Sequence, residues 1–255
     1  MCQVLDVSRS GFYAWRQRPE SESAQRRSEL VEQMKSVHSD FDMKNYGSPR
    51  MHEELVSRGH DVCENTVAKL MRDHGMRAAR SRKFRVTTDS RHSLPVAENI
   101  LDREFEQATP DRVWLADITY IWTREGWLYL ACVLDSCTRK IVGWSISNSL
   151  ATSLVSNALR NAVESRCPDT HQLLHHSDRG CQYTSDAYQR ILNTLGIECS
   201  MSRTACCYDN AVMERFFWSL KHEWTNFHSF QNLQQARLSV FRYIETFYNS
   251  VRIHQ

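Results

Sequence analysis

Two kinds of hydrophobic patterning divide the chain. Up to about residue 85 the segments read as helices, and from residue 111 runs rich in β-branched and aromatic residues alternate with helical stretches. At the front, "CQVLDVSRSGFYAWRQRP" predicts an apolar helix end, a turn at Asp6-Val7, Ser8 as N-cap, and a helix from Arg9 to about Arg18 that Pro19 ends. A charged helix follows from Glu22 to about Ser39. "YGSPRMHEELVSRGHDVCENTVAKLMRDHGMRA" then predicts helices over Pro49–Arg58 and Glu64–His74, with Gly75 closing the second. Leu55, Val67, Leu70 and Met71 fall at helical spacing and should form a small core. The arrangement is that of a helix–turn–helix.

Beyond Pro110 the expected elements are a strand over 112–123, a hairpin turn at Glu125-Gly126, and strands over 127–135 and 141–147. A helix at 151–166, a short strand in "QLLHHS", a helix at 184–195 closed by Gly196, and a strand in "IECSMS" come next. The last two elements are an amphipathic helix through "YDNAVMERFFWSLKHEWT", capped by Asp209 or Asn210, and a helix over 232–249. Three antiparallel strands followed by alternating helices and strands are the plan of an RNase H-like nuclease core: an α/β fold with a mixed five-stranded sheet and flanking helices, here preceded by an all-α region. The expected domains are a helix–turn–helix remnant at 1–20, a helical DNA-binding region at 21–85, a linker at 86–110 and a catalytic domain at 111–255.

Charge sharpens this division. The net charge is only +2, but residues 1–91 carry 17 Lys and Arg against 13 Asp and Glu, while the rest carry 15 against 17. The basic run "RAARSRKFR", with Arg80, Arg82, Lys83 and Arg85, follows the helix–turn–helix directly and suits phosphate tracking. Nine scattered cysteines with no CxxC pair point to free thiols rather than a disulfide scaffold or zinc site. No apolar run approaches a membrane span, and no signal-peptide pattern is present, so a cytoplasmic, nucleoid-associated protein is expected. The abrupt start at "MCQVLDVSRSG" and the stop at "SVRIHQ" suggest a chain cut at both ends.

Three acidic residues carry the candidate chemistry. Asp117 interrupts the apolar strand "VWLADITYI", where an unpaired carboxylate is costly. Asp178 follows the fourth strand, where open α/β sheets gather functional groups. Glu214 sits about one turn into a helix beside Phe216, Phe217 and Trp218. Singly, each has an ordinary explanation as a strand-edge acid, a turn acid or an exposed helix acid. Together they fall on the first strand, the end of the fourth and a late helix, elements that this fold brings together. Three converging carboxylates can hold two Mg²⁺ or Mn²⁺ ions roughly 3.5–4 Å apart. Asp135, a fourth acid on the sheet, is read as structural.

"WLADITYI", "WLYLACVLDSCTRKIVGW", "HSDRGCQYTS", "CYDNAVMERFFWSLKHE" and "YIETFYNSVRIHQ", with 35 residues between Asp178 and Glu214, closely resemble the second-frame (orfB) transposases of bacterial insertion sequences of the IS-three group. These belong to the DDE superfamily with retroviral integrases. "VSRSGFYAW" and the helix–turn–helix extend the likeness to nearly the whole chain. The resemblance implies that Asp117, Asp178 and Glu214 are the catalytic triad and ligate two ions. One ion would activate the attacking oxygen and the other would stabilise the leaving 3′-oxygen. Arg179 and Lys221 are expected to reach DNA, and His176, Asp209 and Asn210 to support the site; a histidine-bound zinc is not expected. The implied partners are the terminal inverted repeats, target DNA, the element's first-frame protein joined by frameshift fusion, and further copies of the chain on DNA. The competing reading is a catalytically silent DNA-binding regulator or decayed transposase fragment, and a third is a simple RNase H-like nuclease.

Overall fold

The computed structural model describes Cys2 and residues 8–40, 42–78, 95–204 and 206–254, without the side chain of Cys207. Two compact units divide at Ala78. In the first, α1 (Arg9–Gln17) starts at Ser8, whose hydroxyl accepts the Gly11 N–H, but α1 buries no residue. The core of this unit comes from α2 (Glu22–Ser39), α3 (Ser48–Ser57) and α4 (Glu64–Asp73). Leu30, Val31, Met34 and Val37 of α2 pack with Met51, Leu55, Val67, Leu70 and Met71 as a three-helix cluster. Gly75, at φ +70°, supplies the left-handed residue that ends α4. The turn at Asp6-Val7 and the basic residues Arg80, Arg82, Lys83 and Arg85 lie outside the described residues.

The second unit is built on one mixed sheet, ordered β3-β2-β1-β4-β5. Its strands are β1 (Val113–Thr123), β2 (Gly126–Asp135), β3 (Ile141–Ser147), β4 (Leu174–Ser177) and β5 (Glu198–Met201). β1, β2 and β3 pair antiparallel, and β4 and β5 add in parallel. One face carries Trp114, Ala116, Ala131 and Val133 under α5 (Thr152–Arg166) and α6 (Asp186–Leu195). Strand alternation puts Leu115, Asp117, Thr119 and Ile121 on the other face. The helices that follow β5 carry the buried residues of that layer: α7 (Ala211–Ser219), a π-helical continuation at Leu220–Trp224, α8 (Leu233–Phe241) and a second π-helical stretch at Arg242–Tyr248. Phe216, Trp224, Tyr243, Phe247 and Tyr248 form an aromatic cluster there. Among the described residues, no helix is long and apolar enough to cross a membrane.

One segment departs from expectation. Residues 95–105, part of the expected linker, lie against the sheet unit: Leu101 is buried, the Ile100 and Leu101 N–H groups donate to Ser200 Oγ, and the Ser136 hydroxyl donates to the Phe105 carbonyl at 2.5 Å. Composition around Pro95 and Pro110 suggests loop, and loop it is, but its backbone polar groups find partners on the folded unit.

Two contacts carry stability predictions. Gly143 of β3 has no room for a side chain, because an added Cβ would stand 2.4 Å from the Ala158 carbonyl of α5. Gly143→Ala should therefore cost about 2–3 kcal/mol by overpacking and lower the melting temperature by roughly 4–12 °C, read by calorimetry. Arg252 and Glu223 form a buried bidentate pair at 2.7 and 2.9 Å, with Ser219 Oγ accepting a further Arg252 N–H. Arg252→Met should cost about 3–5 kcal/mol by stranding the carboxylate. Denaturant titration should show the double change, with Glu223→Met added, recovering much of that loss.

Candidate active site

Parallel pairing of β1 with β4 sets the geometry. Ala116 stands opposite Ser177 in the last paired position, so Asp117 and Asp178 follow side by side at the point where β4 ends and β1 runs on beside β2. On the other side, Asp117 faces Cys132 of β2. Asp117 is half-buried, and its Oδ1 accepts the Ile118 N–H at 2.7 Å. Burial, then the charge of Asp178, then that of Glu214, push its carboxyl well above the usual range; the Ile118 N–H and the Lys221 ammonium pull the other way. The carboxylates therefore share one electrostatic environment.

Asp178 begins a tight turn. Its Oδ1 accepts the Gly180 N–H at 2.9 Å. A Cβ at position 180 would crowd that oxygen at 3.0 Å, which accounts for the glycine. Tyr183 is buried, and its hydroxyl is pushed upward by burial and by the charges of Tyr188, Asp117 and Asp178. Glu214, in the first turn of α7, is half-buried and likewise raised by burial. Lys221 follows in the π-helical turn, with its Nζ 4.8 Å from the centre of the Tyr120 ring. Burial lowers its ammonium, and Asp117 partly restores it. Among the described residues, no group of three or more His, Cys, Asp and Glu side chains is arranged to hold a metal ion. The carboxylates are thus within electrostatic reach of one another without forming a ready-made cage.

His176, Asp209 and Asn210, expected to support the site, each bond to elements that carry or adjoin it. His176 is fully buried and has no surface to present to DNA. Its Nδ1 lies 2.9 Å from Ser200 Oγ and its Nε2 3.1 Å from Ser202 Oγ. Because Ser200 Oγ already accepts two backbone N–H groups, its proton goes to His176 Nδ1, which leaves Nε2–H to donate to Ser202. Ser202 Oγ in turn donates to the Ser177 carbonyl, beside Asp178. Burial lowers His176 to about 4, so it is the neutral form that links these strands. His175 faces the opposite side, with Nε2 3.0 Å from the Tyr188 hydroxyl, and burial lowers it to about 3.

Neither Asp209 nor Asn210 caps α7 with its side chain. Asn210 Nδ2 donates to the Ala116 carbonyl, one residue before Asp117, and so ties the start of α7 to β1. Asp209 is buried and takes hydrogen bonds from the Arg203 backbone and guanidinium, Arg103 Nε and Asn99 Nδ2. Those bonds, led by Arg203, hold its carboxyl far below the usual range. Arg103 and Asn99 carry no local sequence signal, since Asp209 lies 106 and 110 residues away along the chain; Arg203 lies only six residues from it. Arg179 donates to the Ser202 carbonyl and to Thr204 Oγ1, which engages its guanidinium with the β5 exit. Asp135 is structural: it accepts the Asp111 and Thr138 N–H groups and the Thr138 hydroxyl.

Comparison with known proteins agrees with this architecture. Residues 107–207 and 195–255 each match an Integrase core domain, and residues 25–84 match an HTH-like domain. The chain is 41% identical over 254 residues to the uncharacterized 31 kDa protein of insertion element IS600 from Shigella sonnei, covering 100% of this chain and 93% of that one. It is 40% identical over 263 residues to transposase InsF for insertion sequence IS3A from Escherichia coli strain K12, covering 100% and 88%. A simian T-cell lymphotropic virus intasome solved by cryo-electron microscopy, in complex with a PP2A regulatory subunit, aligns with a TM-score of 0.48 at 13% identity, over 87% of this chain and 70% of that one. By its two matched domains and its full-length identity to these relatives, the chain belongs to the integrase-core transposases of the IS3 family of insertion sequences.

Proposed function

We propose that this protein is a DDE transposase that cleaves DNA strands at insertion-sequence ends and joins them to new sites in a metal-dependent reaction. The observation that carries the reading is Asp117. It is a half-buried carboxylate in the middle of β1, beside the point where β4 ends, raised by burial and by two neighbouring acids, and so placed that a divalent cation would relieve its charge. The donor set of Asp117, Asp178 and Glu214 is entirely hard oxygen, which suits Mg²⁺ or Mn²⁺. Two ions bound by these residues would activate the attacking oxygen and stabilise the leaving one.

The chain's own groups then have distinct tasks. Asp117 and Asp178 hold their positions through the parallel strand register, and Glu214 comes from a helix that Asn210 ties to β1. Lys221 adds a cation beside the carboxylates for the DNA phosphates. The attacking oxygen comes from water in cleavage or from a DNA 3′-hydroxyl in strand transfer. Its bond to phosphorus forms as the bond to the leaving 3′-oxygen breaks, so no residue need become covalently attached to DNA. We further assign the helix–turn–helix unit, with the basic run from Arg80 to Arg85, to recognition of the terminal repeats. The working form would be an oligomer bridging two element ends in the bacterial cytoplasm, with the first-frame protein fused upstream.

A gel assay of strand nicking and joining tests this reading, using the DNA that flanks the gene and Mg²⁺ or Mn²⁺. Wild type should nick at the element ends only with metal present. Asp117→Asn, Asp178→Asn and Glu214→Gln should each reduce the rate by at least about 10³-fold while retaining DNA binding, as expected when groups acting as a unit are removed singly. Lys221→Ala should act more mildly, by roughly 10–100-fold, on the scale of a lost charge-assisted contact. A wild type that binds the ends but never cuts, even when fused to the first-frame protein, would hand the lead to the regulator reading.

A further inference from the structure

The first hairpin of the sheet runs on past its helical cover. β1 pairs with β4 only as far as Ala116, and α5 packs chiefly on β3 and β2. Beyond that cover, one face of the hairpin presents Tyr120, Trp122 and Trp127 in sequence. Trp122 is 59% exposed and Trp127 45%. The two indoles meet edge-to-face at 4.7 Å, and Trp127 meets Tyr120 edge-to-face at 5.0 Å.

Two further observations bear on what such a patch receives. First, it is electrostatically marked: the Lys221 ammonium lies 4.8 Å from the Tyr120 ring centre, and Arg124 stands exposed at the hairpin tip. Aromatic faces interleaved with cations are the composition of a surface that takes nucleobases and phosphates together. Second, the hairpin is braced from behind. The Arg124 N–H donates to the Phe230 carbonyl and the Leu233 N–H to Glu125 Oε2, while the Thr123 hydroxyl closes the hairpin's own turn on the Gly126 carbonyl. The rings thus stand on a support already ordered before anything binds.

Position selects the strand. Tyr120 and Trp122 lie three and five residues beyond Asp117 on the same strand, an odd spacing that turns their rings to the sheet face opposite its carboxylate. Lys221, which lies by the Tyr120 ring and acts on Asp117, links the two at the β1 edge that β4 leaves unpaired. At about 3.3 Å per residue the two spacings are roughly 10 and 16 Å, the axial span of about three to five stacked nucleotides. We propose that Tyr120, Trp122 and Trp127 form a stacking platform for unpaired bases of the DNA strand a few nucleotides from the scissile phosphate. Such a platform holds a frayed or single-stranded flank against the protein while the phosphate sits at the carboxylates. This inference rests on the transposase reading, because it needs DNA at that site.

The test is binding in EDTA, so that it does not depend on cleavage. Two duplexes from the element end are compared by fluorescence anisotropy, one blunt and one with a five-nucleotide unpaired flank. Stacking is worth about 1–3 kcal/mol per base, so Trp122→Ala/Trp127→Ala should weaken binding of the flanked duplex at least tenfold. Binding of the blunt duplex should change less than twofold, and the conservative Trp122→Phe/Trp127→Phe pair should retain most of the preference. In wild type alone, 2-aminopurine placed along the flank should be quenched most at positions three to five from the cleavage point. Equal losses on both duplexes, or uniform 2-aminopurine emission along the flank, would overturn the proposal. So would loss of self-association in the alanine pair with flanked-DNA binding intact, which would identify a second copy as the occupant. If wild type still nicks with Mg²⁺ in these cases, the transposase reading survives and only the platform fails; if it neither binds nor nicks, both fail.

Discussion

The pairing of β1 with β4 is the constraint on which the rest of the second unit depends. Parallel strands cannot be joined by a tight turn, so the chain between β3 and β4 must cross the sheet, and α5 makes that crossing. Once Ala116 stands opposite Ser177, the residues that follow on the two strands stand side by side where β4 ends. Both of those residues are aspartates. A shift of one residue in this register would turn Asp117 from the α7 face into the apolar layer beneath α5 and α6. There, Trp114, Ala116, Val155 and Leu159 offer a carboxylate no partner.

Several interactions defend that register from outside the carboxylates. The chain from Ser200 through His176 and Ser202 to the Ser177 carbonyl crosses from β5 to the end of β4 just before Asp178. Arg179 ties the following turn to the same β5 exit. Asp209 gathers Arg103, Arg203 and Asn99, bringing the segment that precedes the sheet onto the loop that leads into α7. These buried polar groups are nearly all matched with partners, which makes them a source of specificity rather than a penalty. Their common effect is to fix the places from which three acids emerge.

The last layer follows a different logic. The helix carrying Glu214 passes directly into a π-helical turn that carries Lys221 and the buried Glu223. The wider turn lets Lys221 reach the Tyr120 ring while Glu223 is held by Arg252 at the far end of the chain. π-helical turns of this kind concentrate at functional sites because they shift the phase of the residues that follow. The C-terminal residues thereby anchor, through a buried ion pair, the helix that presents the third acid.

Much of this was legible in the sequence. Helix and strand periods, Ser8, Gly75 and Gly196 located most elements to within a residue or two, because those signals are local. Asp117 stood out because a carboxylate inside "VWLADITYI" contradicts its surroundings, and the spacing from Asp178 to Glu214 tied the acids to a family. What the sequence could not decide was which polar residues find one another across the fold. Asp209 and Asn210 read as caps that also support the site; their side chains leave α7 uncapped and bond instead to residues 99, 103, 116 and 203. His176 read as supporting the site, and only the structure shows the two serines between which it is buried. Residues 95–105 read as linker because their backbone groups find partners only on a sheet formed later in the chain. The aromatic residues of the hairpin were strand formers in the sequence, and only the tertiary structure left them uncovered. Local periodicity sets the elements, but long-range pairing and the reach of each covering helix decide which side chains are buried, partnered or free to act.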